Sequence, residues 1–89
     1  MRAILTVTGK DKTGIIAGVS AALSAYGVNI LDISQTVLQE YFAMIMLVDL
    51  DNCSVSFAEL SDKLNEKGKD ICMDIRIMRE EIFDAMHRL

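Results

Sequence analysis

The order of two hydrophobic periodicities constrains the fold of this 89-residue chain more than any other feature of its sequence. Four segments have the alternating or β-branched composition of strands, and apolar residues recur at helical spacing in two segments between them. The strand-like segments are Arg2–Gly9, Asn29–Gln39, Tyr41–Leu50 and Asp70–Arg79, and the helical segments run from Ile15 to Tyr26 and from Ser56 to Gly68. This β-α-β-β-α-β order is that of two interleaved β-α-β crossovers. It predicts an α+β fold, the ferredoxin-like βαββαβ sandwich, in which a four-stranded antiparallel sheet carries two helices on one face.

Local signals mark the ends of both predicted helices. Ser56 opens an S-x-x-E capping box before the second helix, and Val55 and Leu60 are placed to form a hydrophobic staple. Gly27 is expected to end the first helix and Gly68 the second, because glycine is the preferred residue just past a helix end.

The second and third strand-like segments meet near Gln39 and Glu40, which predicts a tight hairpin. If Leu38 is opposite Tyr41, the side chains of the two strands divide between two faces. The face predicted to meet the core carries Leu31, Ile33, Val37, Phe42, Met44, Met46 and Val48. The other face carries Asp32, Ser34, Thr36, Ala43, Ile45 and Leu47, a mixed surface expected to be open or covered by a partner.

Residues 80–89 are predicted to form a short C-terminal helix that extends a single domain of residues 1–89. Acidic residues come first in this segment, and His87 and Arg88 come last, which matches the dipole of a helix. Ten residues do not hold a helix alone in water, so this helix is expected to dock on the domain or on a second subunit.

Composition favours a self-associating protein and excludes several classes of partner. The chain is 52% hydrophobic, and a domain of this size has little interior to hide that material, so we expect a homodimer. The net charge of −4 and the lack of any basic block argue against nucleic acid and anionic membranes as partners.

Cys53 and Cys72 have neither metal-ligand nor redox spacing, which indicates reduced thiols in a soluble, cytoplasmic protein. No signal peptide or membrane span is evident.

The sequence shows no catalytic constellation, because no nucleophile can be paired with a base. Gly9 and Gly14 have the spacing of a phosphate loop, but Ile15 and Ile16 stand where lysine and a hydroxyl residue would be needed. His87 is the only histidine, and its place near a helix end indicates a role at that end rather than in chemistry. We therefore predict no enzymatic activity, no cofactor and no metal.

The stretch GKDKTGIIAGVSAAL, residues 9–23, joins the first strand to the first helix and is the best candidate for a binding site. The first amides of the helix, from Thr13 to Ile16, suit a carboxylate, and Asp11 could neutralise an ammonium group. The alternative is purely structural: Asp11 or Thr13 caps the helix, while Lys10 and Lys12 point to water. The residues alone leave both interpretations open.

The same stretch, followed by YGVNILDISQ, resembles the ACT domain, whose hallmarks are a D-[RK]-x-G-[IL] loop and a G-[IV]-N-I segment at the start of strand two. The resemblance covers nearly the whole chain, and more narrowly the sequence is similar to small free-standing ACT proteins. It implies a regulatory module that binds an amino acid between two subunits, through the first loop of one and strand two of the other. The residues it implicates are Asp11, Lys12, Thr13, Gly14, Ile15, Asn29 and Ile30.

The sequence departs from the ACT pattern at two positions. Thr13 occupies a place often held by proline, and Lys10 stands where some serine-sensing members carry an uncharged polar or histidine side chain. The second departure leaves the identity of the ligand open. Asn29 also has a structural interpretation, since asparagine often satisfies backbone groups at a turn.

Two functional hypotheses follow from these patterns. The first is a non-enzymatic regulatory module, a homodimer that binds a small amino acid and controls a protein partner. The alternative is a dimerisation or protein-interaction module without a ligand, which would use the open sheet face, the C-terminal helix and adaptable methionines.

Overall fold

The computed structural model describes residues 1–86, which form four strands and three helices in the predicted order. The strands are β1 (Arg2–Lys10), β2 (Asn29–Leu38), β3 (Tyr41–Asp49) and β4 (Met73–Arg79), and the helices are α1 (Ile15–Ala25), α2 (Phe57–Ile71) and α3 (Glu80–Met86). All four strands pair antiparallel in the order β2-β3-β1-β4. The ferredoxin-like architecture is confirmed, with β2 and β4 at the edges of the sheet.

The core lies between α1, α2 and one face of the sheet. Alternate residues of β1 and β3 point into it, as expected for strands with one buried face. The strand and helix side chains belong to the same apolar cluster, so both helices cover the same face. The most deeply buried members are Leu5, Val7, Val19, Leu23, Met44, Met46, Val48, Leu60, Leu64 and Ile75.

The predicted hairpin register is confirmed, with one local exception. Leu38 pairs with Tyr41, and Ile33 and Val37 lie opposite Met46 and Phe42. A β-bulge between Ile30 and Asp32 takes Leu31 out of this register and places Ile30 opposite Val48. The prediction that Leu31 shares the core face was therefore wrong, because a bulge sets two residues against one and reverses which side chains face inward.

The predicted burial of Leu31, Ile33 and Val37 on the core face was also wrong. These side chains are 43%, 40% and 52% exposed, Leu38 is 69% exposed, and only Ile30 of this strand is half-buried against the core. Except for Ile30, the side chains of β2 lie outside the apolar cluster that the helices cover, whereas β4, the other edge strand, buries Met73 and Ile75 in that cluster. The described chain therefore exposes an edge strand that carries four apolar side chains, and natural proteins normally cover such edges.

The N-terminus of α2 is capped as predicted. Ser56 has extended backbone angles, and its Oγ accepts a hydrogen bond of 3.2 Å from the amide of Glu59. Val55 and Leu60 both contact the core, Leu60 being fully buried.

Replacing Ser56 with alanine is expected to lower the free energy of unfolding by about 1 kcal/mol, because the Glu59 amide loses its acceptor. Urea denaturation followed by circular dichroism measures the change. Ser61→Ala is the matched control, since Ser61 lies within α2, where alanine is the better helix former. Equal destabilisation by the two substitutions would show that the cap contributes nothing specific.

The predicted end of α2 at Gly68 and start of the last strand at Asp70 were wrong. The helix continues through Gly68 to Ile71 and ends at Cys72, which has left-handed angles with φ +57°. Gly68 is buried, and a Cβ placed on it would lie 2.5 Å from the carbonyl oxygen of Met73. The glycine lets β4 begin directly against the helix, so its role is close packing.

α3 lies against the sheet face opposite α1 and α2. Phe83 is half-buried and borders a cleft with Ile4 and Thr6 of β1, whereas Ile82 and Met86 are exposed. The first turn is held by Arg2, whose Nε donates to Glu80 Oε2 at 2.9 Å. The predicted helix extended to residue 89; residues 87–89, and with them the predicted helix-end role of His87, lie outside the described residues.

Candidate functional site

The N-terminus of α1 is open. Gly14 is its N-cap residue, with a left-handed φ of +86°, and within residues 1–86 no side chain caps this end. Neither Asp11 nor Thr13 therefore acts as the cap, which removes that part of the structural alternative. The amide of Gly18 bonds to the Gly14 carbonyl at 2.9 Å, so the helix is formed from its first turn. The amides that precede Gly18 in this turn have no carbonyl one turn back to bond.

The loop before α1 is tied to the β2–β3 hairpin. The amide of Asp11 donates to the carbonyl of Glu40 at 2.7 Å, which fixes the loop beside the end of β2. A cleft of about 320 Å³, open to solvent, lies between this loop, the start of α1 and β2. Its lining consists of Asp11, Lys12, Gly14, Ile15, Ile16, Ala17, Gln35, Val37 and Phe42. We call this the loop cavity.

The loop cavity combines an apolar floor with charges at its mouth. Ile15 and Phe42 are buried in the core beneath it, and Val37 forms an exposed apolar wall. Asp11 and Lys12 are both exposed, and in the part of the chain that the structure describes neither forms an ion pair within 4.0 Å. The site thus presents a free carboxylate, a free ammonium group and a positive helix end within one cleft.

The other predicted site residues, Asn29 and Ile30, lie at the opposite end of the sheet. Asn29 pairs with Asp49, which pairs with Arg2 at the start of β1, whereas the loop follows Lys10 at the end of β1. The eight residue steps between these ends correspond to about 27 Å. One chain therefore brings Asp11, Lys12, Gly14 and Ile15 together and keeps Asn29 and Ile30 apart from them.

A second cavity, of about 380 Å³, surrounds Asn29. Its lining is polar on most sides and consists of Ser24, Gly27, Val28, Asn29, Asp49 and Asn52. We call this the Asn29 cavity. Gly27 follows the last turn of α1, ending the helix as predicted. Ile30 is not in the lining and packs instead against the core.

The edge of the Asn29 cavity carries further charges. Asp49 Oδ1 accepts a hydrogen bond from the amide of Asp51 at 2.9 Å and lies 3.9 Å from the amino group of Met1. The hydrogen bond from that amino group to the Asp51 carboxylate raises the pKa of the amine and lowers the pKa of Asp51. Both groups are at the surface, and their contact favours the charged form of the Met1 amine and of the Asp51 carboxylate.

Among the lining residues that sequence reasoning missed, five lie on β2, on β3 or just after β3. Gln35, Val37 and Phe42 border the loop cavity, and Asp49 and Asn52 border the Asn29 cavity. The hairpin pattern pairs Val37 with Phe42, but nothing local indicates that the first loop closes over this pair. Asp49 and Asn52 carry no motif, and only the pairing of β2 with β3 places them beside Asn29.

Among residues 1–86, no three histidine, cysteine, aspartate or glutamate side chains come together as metal ligands would. No helix in the same range has the length and apolar character needed to cross a bilayer. What the loop cavity presents is backbone donors, one charge of each sign and an apolar wall.

Comparisons with known proteins point to a specific family. A family model described as an ACT domain matches residues 2–78. A UPF0237 protein of Clostridium acetobutylicum is 56% identical over 89 residues, which is the full length of both chains. A UPF0237 protein of Listeria monocytogenes is 49% identical, again over the full length of both. The solved structure of an ACT domain protein from Streptococcus pneumoniae superposes with a TM-score of 0.84, at 46% identity and 98% coverage of each chain.

Proposed function

The chain belongs to the ACT domain family, and on that premise we propose that it is a non-enzymatic regulatory module that binds a small amino acid between two copies of itself. ACT domains are typically regulatory ligand-binding modules. The observation that carries the proposal is the separation of the two predicted halves of the site, at opposite ends of an exposed edge strand.

Self-association through β2 would bring the two halves together. An edge strand offers unpaired backbone groups along its length, and β2 adds exposed apolar side chains to them. A two-fold axis near the middle of β2 would pair the strand antiparallel with its own copy. The Asn29 end of one copy would then lie beside the Val37 end of the other, next to its loop cavity.

The loop cavity matches the two charges that every free amino acid carries. The open amides of α1 favour a carboxylate, because they are unpaired donors at the positive end of the helix dipole. Asp11 has no ion-pair partner within residues 1–86 and could take the ammonium group. The amide side chain of Asn29 from the second copy would offer both a donor and an acceptor.

The wall of the loop cavity limits the side chain of the ligand. Val37, Ile15 and Phe42 give it an apolar surface, and about 320 Å³ accommodates a small side chain in addition to the zwitterion. Lys12 stands at the mouth, where it would disfavour a cationic ligand. A small uncharged amino acid therefore fits the cavity better than lysine or arginine.

A thermal-shift panel with the twenty amino acids tests the proposal. A ligand at 100 times its dissociation constant stabilises the folded protein by about 2.7 kcal/mol. For a domain of this size, that free energy raises the melting temperature by roughly 10 °C or more. We expect such a shift with at least one small uncharged amino acid and none with arginine.

The panel is repeated with Asp11→Ala, which removes the proposed ammonium partner, and with Asp62→Ala as the matched control on the exposed surface of α2. The first substitution should reduce the shift to about half or less, and the second should leave it unchanged. No shift with any of the twenty amino acids, or the same shift in both variants, would contradict the proposal.

A second candidate function is a ligand-free interaction module. It is favoured by the face of the sheet opposite α1 and α2, where Ile45 is exposed, and by α3, which exposes Ile82 and Met86. Exposed apolar side chains grouped on one face are typical of protein contact surfaces. A chain that stays dimeric in light scattering but binds no amino acid would favour this function over the first.

A further inference from the structure

The cleft beneath α3 has a more apolar lining than either cavity described above and is separate from both. It has a volume of about 270 Å³ and lies on the sheet face that α1 and α2 leave open. Its lining consists of Ile4, Thr6, Arg76, Ile77, Met78 and Phe83. We call it the α3 cavity. Phe83 lies beyond residues 2–78, the part of the chain that the ACT family model matches.

The register of the sheet builds the floor of the α3 cavity. Ile4 pairs with Met78, and Thr6 pairs with Arg76, so two cross-strand pairs of β1 and β4 stand side by side on the open face. Phe83 forms the roof, and the bond from Arg2 to Glu80 anchors the first turn of its helix. An apolar volume of 150 Å³ is enough to hold benzene, so this cavity has room for a ring or a short alkyl chain.

Two polar side chains line the α3 cavity, and each has hydrogen-bond donors without a partner among the described residues. The Nε of Arg76 donates to Asp74 Oδ2 at 3.1 Å, which leaves the two terminal nitrogens of the guanidinium without a partner in the described chain. The hydroxyl of Thr6 likewise makes no hydrogen bond to residues 1–86. The terminal edge of a guanidinium matches a carboxylate in shape and charge.

We infer that the α3 cavity is a second ligand site, one that takes a small apolar monocarboxylate. The apolar body of the ligand would lie between Met78, Ile4 and Phe83, and its carboxylate would accept from the terminal nitrogens of Arg76. Asp74 occupies the Nε side of the guanidinium and so orients the other edge toward the ligand. This inference goes beyond the proposed amino-acid site and does not depend on dimerisation.

Titration of the full-length, isotope-labelled protein with sodium hexanoate tests the inference by NMR. The backbone amides of Ile4, Thr6, Arg76 and Met78 should shift in a saturable way, while those of residues 11–15 should not move. Hexan-1-ol is the matched ligand without a charge, and it should bind more weakly than hexanoate.

Arg76→Gln should weaken hexanoate binding by about tenfold or more and leave hexan-1-ol binding unchanged, because it removes only the charge-assisted contact. Arg79→Gln is the matched control: Arg79 is also on β4, but its guanidinium lies over the ring of Phe57, 5.0 Å from the centroid. Three outcomes would overturn the inference: no saturable shift, shifts centred on residues 11–15, or equal losses in the two variants. Asp11→Ala should leave hexanoate binding intact, so failure of the amino-acid site would not be mistaken for failure of this one.

Discussion

Gly68→Ala is expected to lower the free energy of unfolding by about 2–3 kcal/mol, although alanine is normally the better residue in a helix. The new Cβ would lie 2.5 Å from the carbonyl oxygen of Met73 and 3.3 Å from Cγ1 of Ile75. A backbone carbonyl cannot rotate away as a flexible side chain would, so the start of β4 must move from α2. Chemical denaturation monitored by circular dichroism measures the loss.

Gly18→Ala provides the control with the opposite sign. Gly18 lies in the interior of α1, where the nearest atom to an added Cβ is the flexible Lys67 side chain at 3.6 Å. The substitution should therefore stabilise the protein by roughly 0.5–1 kcal/mol, the ordinary preference of a helix for alanine. If Gly68→Ala also stabilised the protein, α2 and β4 would not lie as close together as the structure places them.

Mixing two variants that each bind the amino acid weakly is expected to restore tight binding, if the amino-acid site is shared between copies of the chain. Asp11→Ala removes the loop half of the site and Asn29→Ala removes the strand half, and each alone should weaken binding by about tenfold or more. Random exchange of subunits makes about half of the dimers mixed, and each mixed dimer has one intact site out of two, so about a quarter of all sites should bind. Isothermal titration calorimetry measures this stoichiometry with the amino acid identified in the thermal-shift panel.

Controls for the mixing experiment must show that recovered ligand binding comes from mixed dimers and not from either variant alone. Each variant alone, at the same total concentration, should keep its weakened binding. A mixture of Asp11→Ala with the double variant Asp11→Ala/Asn29→Ala should also remain inactive, because neither chain supplies an intact loop. If subunits are shown to exchange and the mixture of Asp11→Ala with Asn29→Ala still does not recover binding, the site is not shared between copies of the chain. Either one chain contains both halves, or the proposed site does not exist.

Much of the fold could be predicted from sequence because its signals are local. The alternation of apolar residues, the S-x-x-E box at Ser56 and the two-residue gap at Gln39 each depend on a few neighbouring residues, and the structure confirms all three. The loop motif from Asp11 to Ile15 is local in the same sense, and all of it except Thr13 lines one cavity.

Where the sequence misled, the deciding contact was distant along the chain. Gly68 has the local signature of a helix end, but its lack of a side chain serves the packing of α2 against β4. Leu31 fits an alternating pattern that the bulge beside it interrupts. The exposure of β2 depended on which part of the sheet the helices cover, and periodicity does not encode that.

The sequence by itself determined which residues form strands and helices, where the first loop lies and which residue types it presents. Only the tertiary structure decided that Asn29 and Asp11 lie at opposite ends of the sheet, that β2 is exposed, and that α3 covers a cavity on the open face. The physical reason is that hydrogen bonds and periodicity act over a few residues, whereas strand order and burial are set by close packing between segments far apart in the chain.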